Sequence, residues 1–131
     1  MDYIRDLGAV SEQWPIIRFS LDKREYERAA RGIEGSMIAI NQALDCSRTS
    51  STPLPNSIKR SLPGLLRRLE ALGLHLATGD LKEVYDAVEV VESRIGTLKY
   101  SVNSYIRTLF REEISTLEEY FKQNTEVELI L

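Results

Sequence analysis

The longest periodic stretch of the chain is LKEVYDAVEVVESRIGTLKYSVNSYIRTLFREEISTLEEYFK, residues 81–122. Its apolar residues recur every three or four positions, which is the spacing of one face of an α-helix. They are Val84, Val88, Val91, Ile95, Leu98, Val102, Tyr105 and Leu109. No proline interrupts residues 81–131, and the spacing does not reset at Gly96 or at the polar residues 101–104. We therefore predict one continuous helix over residues 81–122, about 60 Å long at 1.5 Å per residue.

Two shorter helices are predicted before it, each of roughly 25 residues and about 35–40 Å long. Ser20 is the predicted N-cap of the first, and its apolar face consists of Tyr26, Ala30, Ile33, Met37, Ile40 and Leu44. The face of the second consists of Ile58, Leu62, Leu65, Leu69, Leu72 and Leu76. The second face keeps its phase across Pro63, so we expect one helix there, with a kink or a short first piece. A polar, proline-containing connector, residues 47–55, separates the two helices.

A second stripe on the first predicted helix contains only small residues: Ala29, Gly32, Ser36, Ala39 and Ala43. Interior glycines lower helix propensity by about 1 kcal/mol each relative to alanine. We expect the small residues to let a neighbouring helix approach closely; the alternative is that the glycines lie on a solvated face.

The turn between the second and third predicted helices is marked by Gly79 as a C-cap and by Asp80, which begins a capping box with Glu83. The sequence GDLKEV, residues 79–84, resembles the turn between the paired helices of tetratricopeptide repeats. No second copy occurs at a 34-residue period. The resemblance implies a helical hairpin and not a repeat protein.

The chain ends are predicted to be non-helical. Residues 1–19 contain Trp14 and Pro15 in a β-prone segment, so we expect an extended N-terminal arm lying on the helices. Residues 20–123 form the helical bundle domain. Residues 124–131 form a C-terminal tail that either adds a strand to a sheet edge or frays.

The predicted fold class is therefore all-α, a bundle of three antiparallel helices with a long C-terminal helix. The alternative is a four-helix up-down bundle in which the last helix breaks near residues 96–104. In the first arrangement the last helix outreaches its partners. Its distal part is not polar, because the apolar seam shifts by one residue after Leu109 and continues to Phe121.

Exposed contiguous apolar surface usually marks an interface. We therefore expect the distal part of the last helix to pair with a second copy of the chain. The residues predicted to mediate this self-association are Tyr105, Leu109, Phe110, Ile114, Leu117 and Phe121.

Composition excludes several classes of protein. The 131 residues carry 17 Lys and Arg against 20 Asp and Glu, a net charge of −3 that is unlike a dedicated nucleic-acid binder. A single cysteine, Cys46, excludes an internal disulfide framework and suits a reducing compartment. No secretory signal or membrane span is recognisable, so we expect an intracellular, cytoplasmic protein without membrane contact.

No constellation of catalytic or metal-binding residues stands out. Asp86, Glu89 and Glu92 lie three residues apart but off the apolar seam, which favours a solvated helix face. The single histidine, His75, excludes sites that need two imidazoles. We predict no catalytic residues, no metal site, no cofactor and no enzymatic activity.

The charges are unevenly distributed along the chain. Residues 46–75 carry five basic residues against Glu70 alone, whereas residues 76–131 carry eleven acidic and six basic residues. The predicted contacts for an acidic partner or a phosphate are Lys59, Arg60, Arg67 and Arg68. The function predicted from the sequence is a helical protein–protein interaction or assembly module, adaptor-like or regulatory, that forms a homodimer and presents helix faces to a partner protein. The alternative is a nucleic-acid-associated regulatory protein that uses the basic face of the second predicted helix.

Overall fold

The structure, a computed structural model, describes the backbone of residues 2–49 and 54–130 and the side chains of residues 4–49 and 54–122. The described residues form four helices: α1 (Asp2–Asp22), α2 (Tyr26–Thr49), α3 (Asn56–Thr78) and α4 (Leu81–Ile130). The all-α helical bundle predicted from the sequence is confirmed, with one helix more than expected.

The additional helix is α1, so the prediction of an extended arm over residues 1–19 is wrong. Six large apolar side chains of α1 recur at helical spacing and are buried: Ile4, Leu7, Val10, Trp14, Ile17 and Leu21. Each contributes roughly 1.5–3 kcal/mol on burial, whereas a proline inside a helix costs about 3 kcal/mol. Pro15 lies on the exposed side of α1. The missing hydrogen bond therefore faces solvent, and the buried side chains outweigh its loss.

The turn between α1 and α2 corrects the predicted N-cap. Ser20 is buried inside α1, and its carbonyl accepts a hydrogen bond from the Glu25 amide at 2.8 Å. Arg24 adopts a left-handed conformation with φ 61°. The chain therefore reverses after Asp22 and not before Ser20.

Burial on α2 is centred on the small residues. Ile33 and Ile40 of the predicted apolar face are buried together with Ala29, Ser36 and Ala43 of the small-residue stripe. Ala30, predicted on the core face, is exposed. The buried face of α2 thus lies between the two predicted stripes.

Helix α3 runs through Pro63 without a break, as the phase of its leucines predicted. It ends at Gly79, whose φ of 76° is a left-handed cap conformation. The Asp80 amide donates to the His75 carbonyl, and Asp80 Oδ1 accepts from the Glu83 amide at 3.3 Å. The predicted hairpin between α3 and α4 is confirmed.

Helix α4 is continuous over its 50 residues, so the alternative with a break near residues 96–104 is wrong. Because the backbone is helical through Ile130, the strand considered for the C-terminal tail is wrong over residues 124–130, and residue 131 lies outside the described residues. At 1.5 Å per residue α4 is about 75 Å long, roughly twice the length of each other helix.

The four helices pack in a ring in which α1 and α3 each contact both α2 and α4. Close contacts show the register: Gly32 of α2 lies against Ile17 of α1, and the indole N–H of Trp14 donates to Glu92 Oε1 of α4 at 3.4 Å. At the other end of α1, Ile4 shares a groove with Ile106 of α4. Helices α1 and α4 are therefore antiparallel, and α1 begins level with about residue 106 of α4.

Candidate interaction surfaces

The bundle ends before α4 does. Val102 is the last described residue of α4 that is fully buried. Tyr105 and Ile106 are partly buried against the core, and Leu109 is half-buried. Every described side chain from Phe110 to Lys122 is exposed. We call residues 110–130 of α4 the overhang.

The predicted self-association residues fall into two groups. Tyr105 packs on the bundle core, and Leu109 is half-buried at the bundle end. The other four form an exposed stripe: Phe110 (58%), Ile114 (50%), Leu117 (54%) and Phe121 (59%). We call these four residues the overhang stripe. Tyr120, which lies beside it, is also exposed and makes an edge-on ring contact with Phe121 at 5.8 Å between centroids.

The overhang stripe does not point in the same direction as the core-facing side of α4. A shift of one residue rotates a helical stripe by about 100°. Continued past Leu109, the core-facing spacing falls on Glu112, Thr116 and Glu119, all polar and exposed. If the neighbouring helices were extended alongside the overhang, they would contact these polar side chains. Most of the overhang stripe would still be exposed.

Charged residues flank the overhang stripe. Arg111 and Glu118 lie along one edge and Glu113 along the other, because residues seven apart share a helix face. Glu112 and Glu119 lie on the opposite side of the helix. Residues 110–122 of the overhang thus form an amphipathic helix with an apolar seam about three turns long.

Arginines from two helices meet at a second surface. Arg67 and Arg68 of α3 line a groove with Gly64 and Ala71 of the same helix and Arg94 of α4. The Arg94 guanidinium lies directly over Gly64, where a Cβ placed on the glycine would come within 2.6 Å of it. We call this surface the basic groove. None of the ion pairs among the described residues involves these arginines.

Only part of the predicted basic face belongs to the basic groove. Arg60 lies one turn before Gly64 on the same side of α3, whereas Lys59 lies about 100° around the helix from Arg60. Sequence reasoning missed Arg94, because it lies on α4 in the acidic half of the chain. No local pattern marks it, and only the packing of α3 on α4 brings it to Gly64.

The acidic residues considered for chemistry lie on the surface. Asp86, Glu89 and Glu92 are exposed, and Glu92 accepts the hydrogen bond from Trp14. His75 is half-buried and Cys46 is exposed. Among the side chains the structure describes, no group of three His, Cys, Asp or Glu is placed to hold a metal ion.

No helix in the described part of the chain is both long enough and apolar enough to cross a membrane. Compared with known proteins, the chain matches no family model, no curated protein and no solved structure.

Proposed function

We propose that this chain is a non-enzymatic assembly module of the cytoplasm that forms a homodimer through its overhang stripe. The observation that carries the proposal is the exposure of four large apolar side chains on a helix that extends beyond its own bundle. In this role the bundle holds α4 in place, and the overhang serves as the contact surface.

Three features support this assignment. The stripe has the four-three-four spacing of a coiled-coil seam. It is rotated by about 100° from the core-facing side of α4, so the bundle core does not continue beneath it. Because α4 is already helical within the bundle, pairing does not require nucleation of a new helix, which is the unfavourable step for a short isolated helix.

The test is sedimentation equilibrium of the native chain and two double variants. Ile114→Lys/Leu117→Lys places two ammonium groups in the seam, and we expect it to raise the dissociation constant at least about a hundredfold. The matched control, Ser115→Lys/Thr116→Lys, adds the same charge outside the seam. We expect it to dimerise within a few-fold of the native chain. Equal dissociation constants for the two variants would contradict the proposal.

A second candidate function rests on the basic groove. Three arginines and the nearby Arg60 form an exposed positive surface, which suits an acidic protein or a nucleic-acid backbone. The described α3 carries no Phe, Tyr or Trp side chain for base stacking. This candidate therefore predicts binding through phosphates, without preference for base sequence.

The second candidate is tested by fluorescence anisotropy with duplex DNA and duplex RNA over a range of salt concentrations. Arg60→Glu/Arg67→Glu is expected to weaken binding at least about tenfold and to reduce the salt slope. Lys82→Glu/Arg107→Glu is the charge-matched control on α4. If both variants bind like the native chain, or if the native chain does not bind, this candidate is wrong.

A further inference from the structure

The geometry points to an antiparallel pairing of the two overhangs, in which Arg111 of each copy lies beside Glu118 of the other. This inference rests on the proposed function, because it specifies how the second copy is oriented on the overhang stripe. It follows from the register of the apolar seam and from the charges beside it.

The overhang stripe can pair with the same stripe of a second copy that runs antiparallel to it. With two copies antiparallel and centred between residues 115 and 116, Phe110 lies opposite Phe121 of the second copy. Ile114 then lies opposite Leu117 of the second copy. The twofold axis repeats both contacts, so all four residues of each stripe are used in four layers. Such a self-complementary contact is the isologous interface typical of homodimers.

The flanking charges distinguish the two possible orientations. In an antiparallel pair, the edge that carries Arg111 and Glu118 lies beside the same edge of the second copy. Arg111 therefore faces Glu118 of the second copy, twice per dimer. In a parallel pair, the edge that carries Glu113 lies beside the edge of the second copy that carries Glu118. Glu113 therefore faces Glu118 of the second copy, also twice per dimer. Edge charges set helix orientation in coiled coils. Two attractive pairs against two repulsive pairs favour the antiparallel arrangement.

The antiparallel register brings the end of α4 to the bundle of the second copy. Phe121 of one copy lies level with Phe110 of the other, and α4 continues to Ile130. The last turns of α4 in one copy therefore approach the groove between α1 and α4 of the other copy. Gly8, Lys99 and Asn103 line this groove. Asn103 lies seven residues before Phe110, on the same side of α4 as the stripe. Gly8 has no side chain at this groove, and a Cβ placed on it meets nothing within 4 Å.

The first experiment is a charge reversal measured by sedimentation equilibrium. Glu118→Lys places a lysine beside Arg111 of the second copy in the antiparallel dimer, and we expect the dissociation constant to rise roughly fivefold. Glu119→Lys, one residue away and outside the seam, is the matched control and should stay within about twofold. Arg111→Glu/Glu118→Lys exchanges the two charges and should restore the native dissociation constant within about twofold.

The parallel dimer predicts the opposite sign, because Glu118→Lys would place a lysine beside Glu113. Tighter association of Glu118→Lys, or no rescue by the double variant, overturns the antiparallel inference while the proposed homodimer stands. If the native chain does not self-associate at any concentration, both the inference and the proposed function fail.

The second experiment measures a distance directly. Spin labels at Thr97→Cys, in a chain carrying Cys46→Ser, report on the separation of the two bundles. In the antiparallel register the labelled positions lie 37 residues apart along the helix axis, which is about 55 Å. A parallel pair places them side by side, at less than about 30 Å, since packed helices lie 8–10 Å apart. A dipolar distance below about 30 Å would overturn the inference.

Discussion

Gly32 and Gly35 lie three residues apart in α2 and have different environments. A Cβ on Gly32 would come within 2.6 Å of Ile17 Cγ1, whereas a Cβ on Gly35 meets nothing within 4 Å. The first glycine therefore allows α1 to pack closely on α2, and the second lies on the surface. Of the two interpretations considered from the sequence, close approach of a neighbouring helix is correct for Gly32, and a solvated face is correct for Gly35.

The two glycines give opposite predictions for stability. Gly32→Ala gains about 1 kcal/mol of helix propensity, but it forces the buried Ile17 to move, which costs about 1–3 kcal/mol. We expect a net loss of about 1 kcal/mol in the free energy of unfolding, measured by urea titration. Gly35→Ala, the control, is expected to gain up to about 1 kcal/mol. Stabilisation by both variants would show that α1 does not pack on Gly32.

Ser36 is a polar residue in an apolar contact. Its side chain is buried, and its Oγ has no hydrogen-bond partner among the described residues. A buried hydroxyl without a partner costs about 1–3 kcal/mol. We therefore expect Ser36→Ala to raise the free energy of unfolding by about 1 kcal/mol. A decrease, measured by the same urea titration, would show that the hydroxyl has a stabilising partner.

At the scale of the elements, the sequence predicted α3 and α4 and missed α1. The leucines of α3 keep one phase across Pro63, and that pattern correctly outweighed the proline. The same argument applies to Pro15, since Leu7, Val10, Trp14 and Ile17 also keep helical spacing. Weighing Pro15 more heavily than this spacing produced the wrong prediction of an extended arm.

The structure predicts that the bundle does not depend on the overhang. No described side chain after Leu109 is buried, and changes at exposed positions usually alter stability by less than about 0.5 kcal/mol. A chain ending at Leu109 is therefore expected to unfold with a free energy within about 1 kcal/mol of the full chain, measured at concentrations where both are monomeric. Its helical circular dichroism should fall by the contribution of the missing turns. Loss of cooperative unfolding would show that the bundle does depend on the overhang.

At the scale of the whole molecule, the mismatch in helix length was predictable, because it follows from unbroken periodicity in one segment. The direction of the exposed stripe was predictable only in part. The one-residue shift after Leu109 is visible in the sequence, but which helix lies beside α4 at that point is not. The basic groove shows the same limit, since Arg94 meets Gly64 only through packing between helices distant in sequence.

The central claim is that a second copy of the chain covers the overhang stripe. Light scattering on the native chain, with molar mass recorded as concentration rises, tests it most directly. The predicted result is a mass that approaches twice the 15.0 kDa of a single chain, with no larger species. A mass of 15.0 kDa at every concentration up to the solubility limit would contradict the claim.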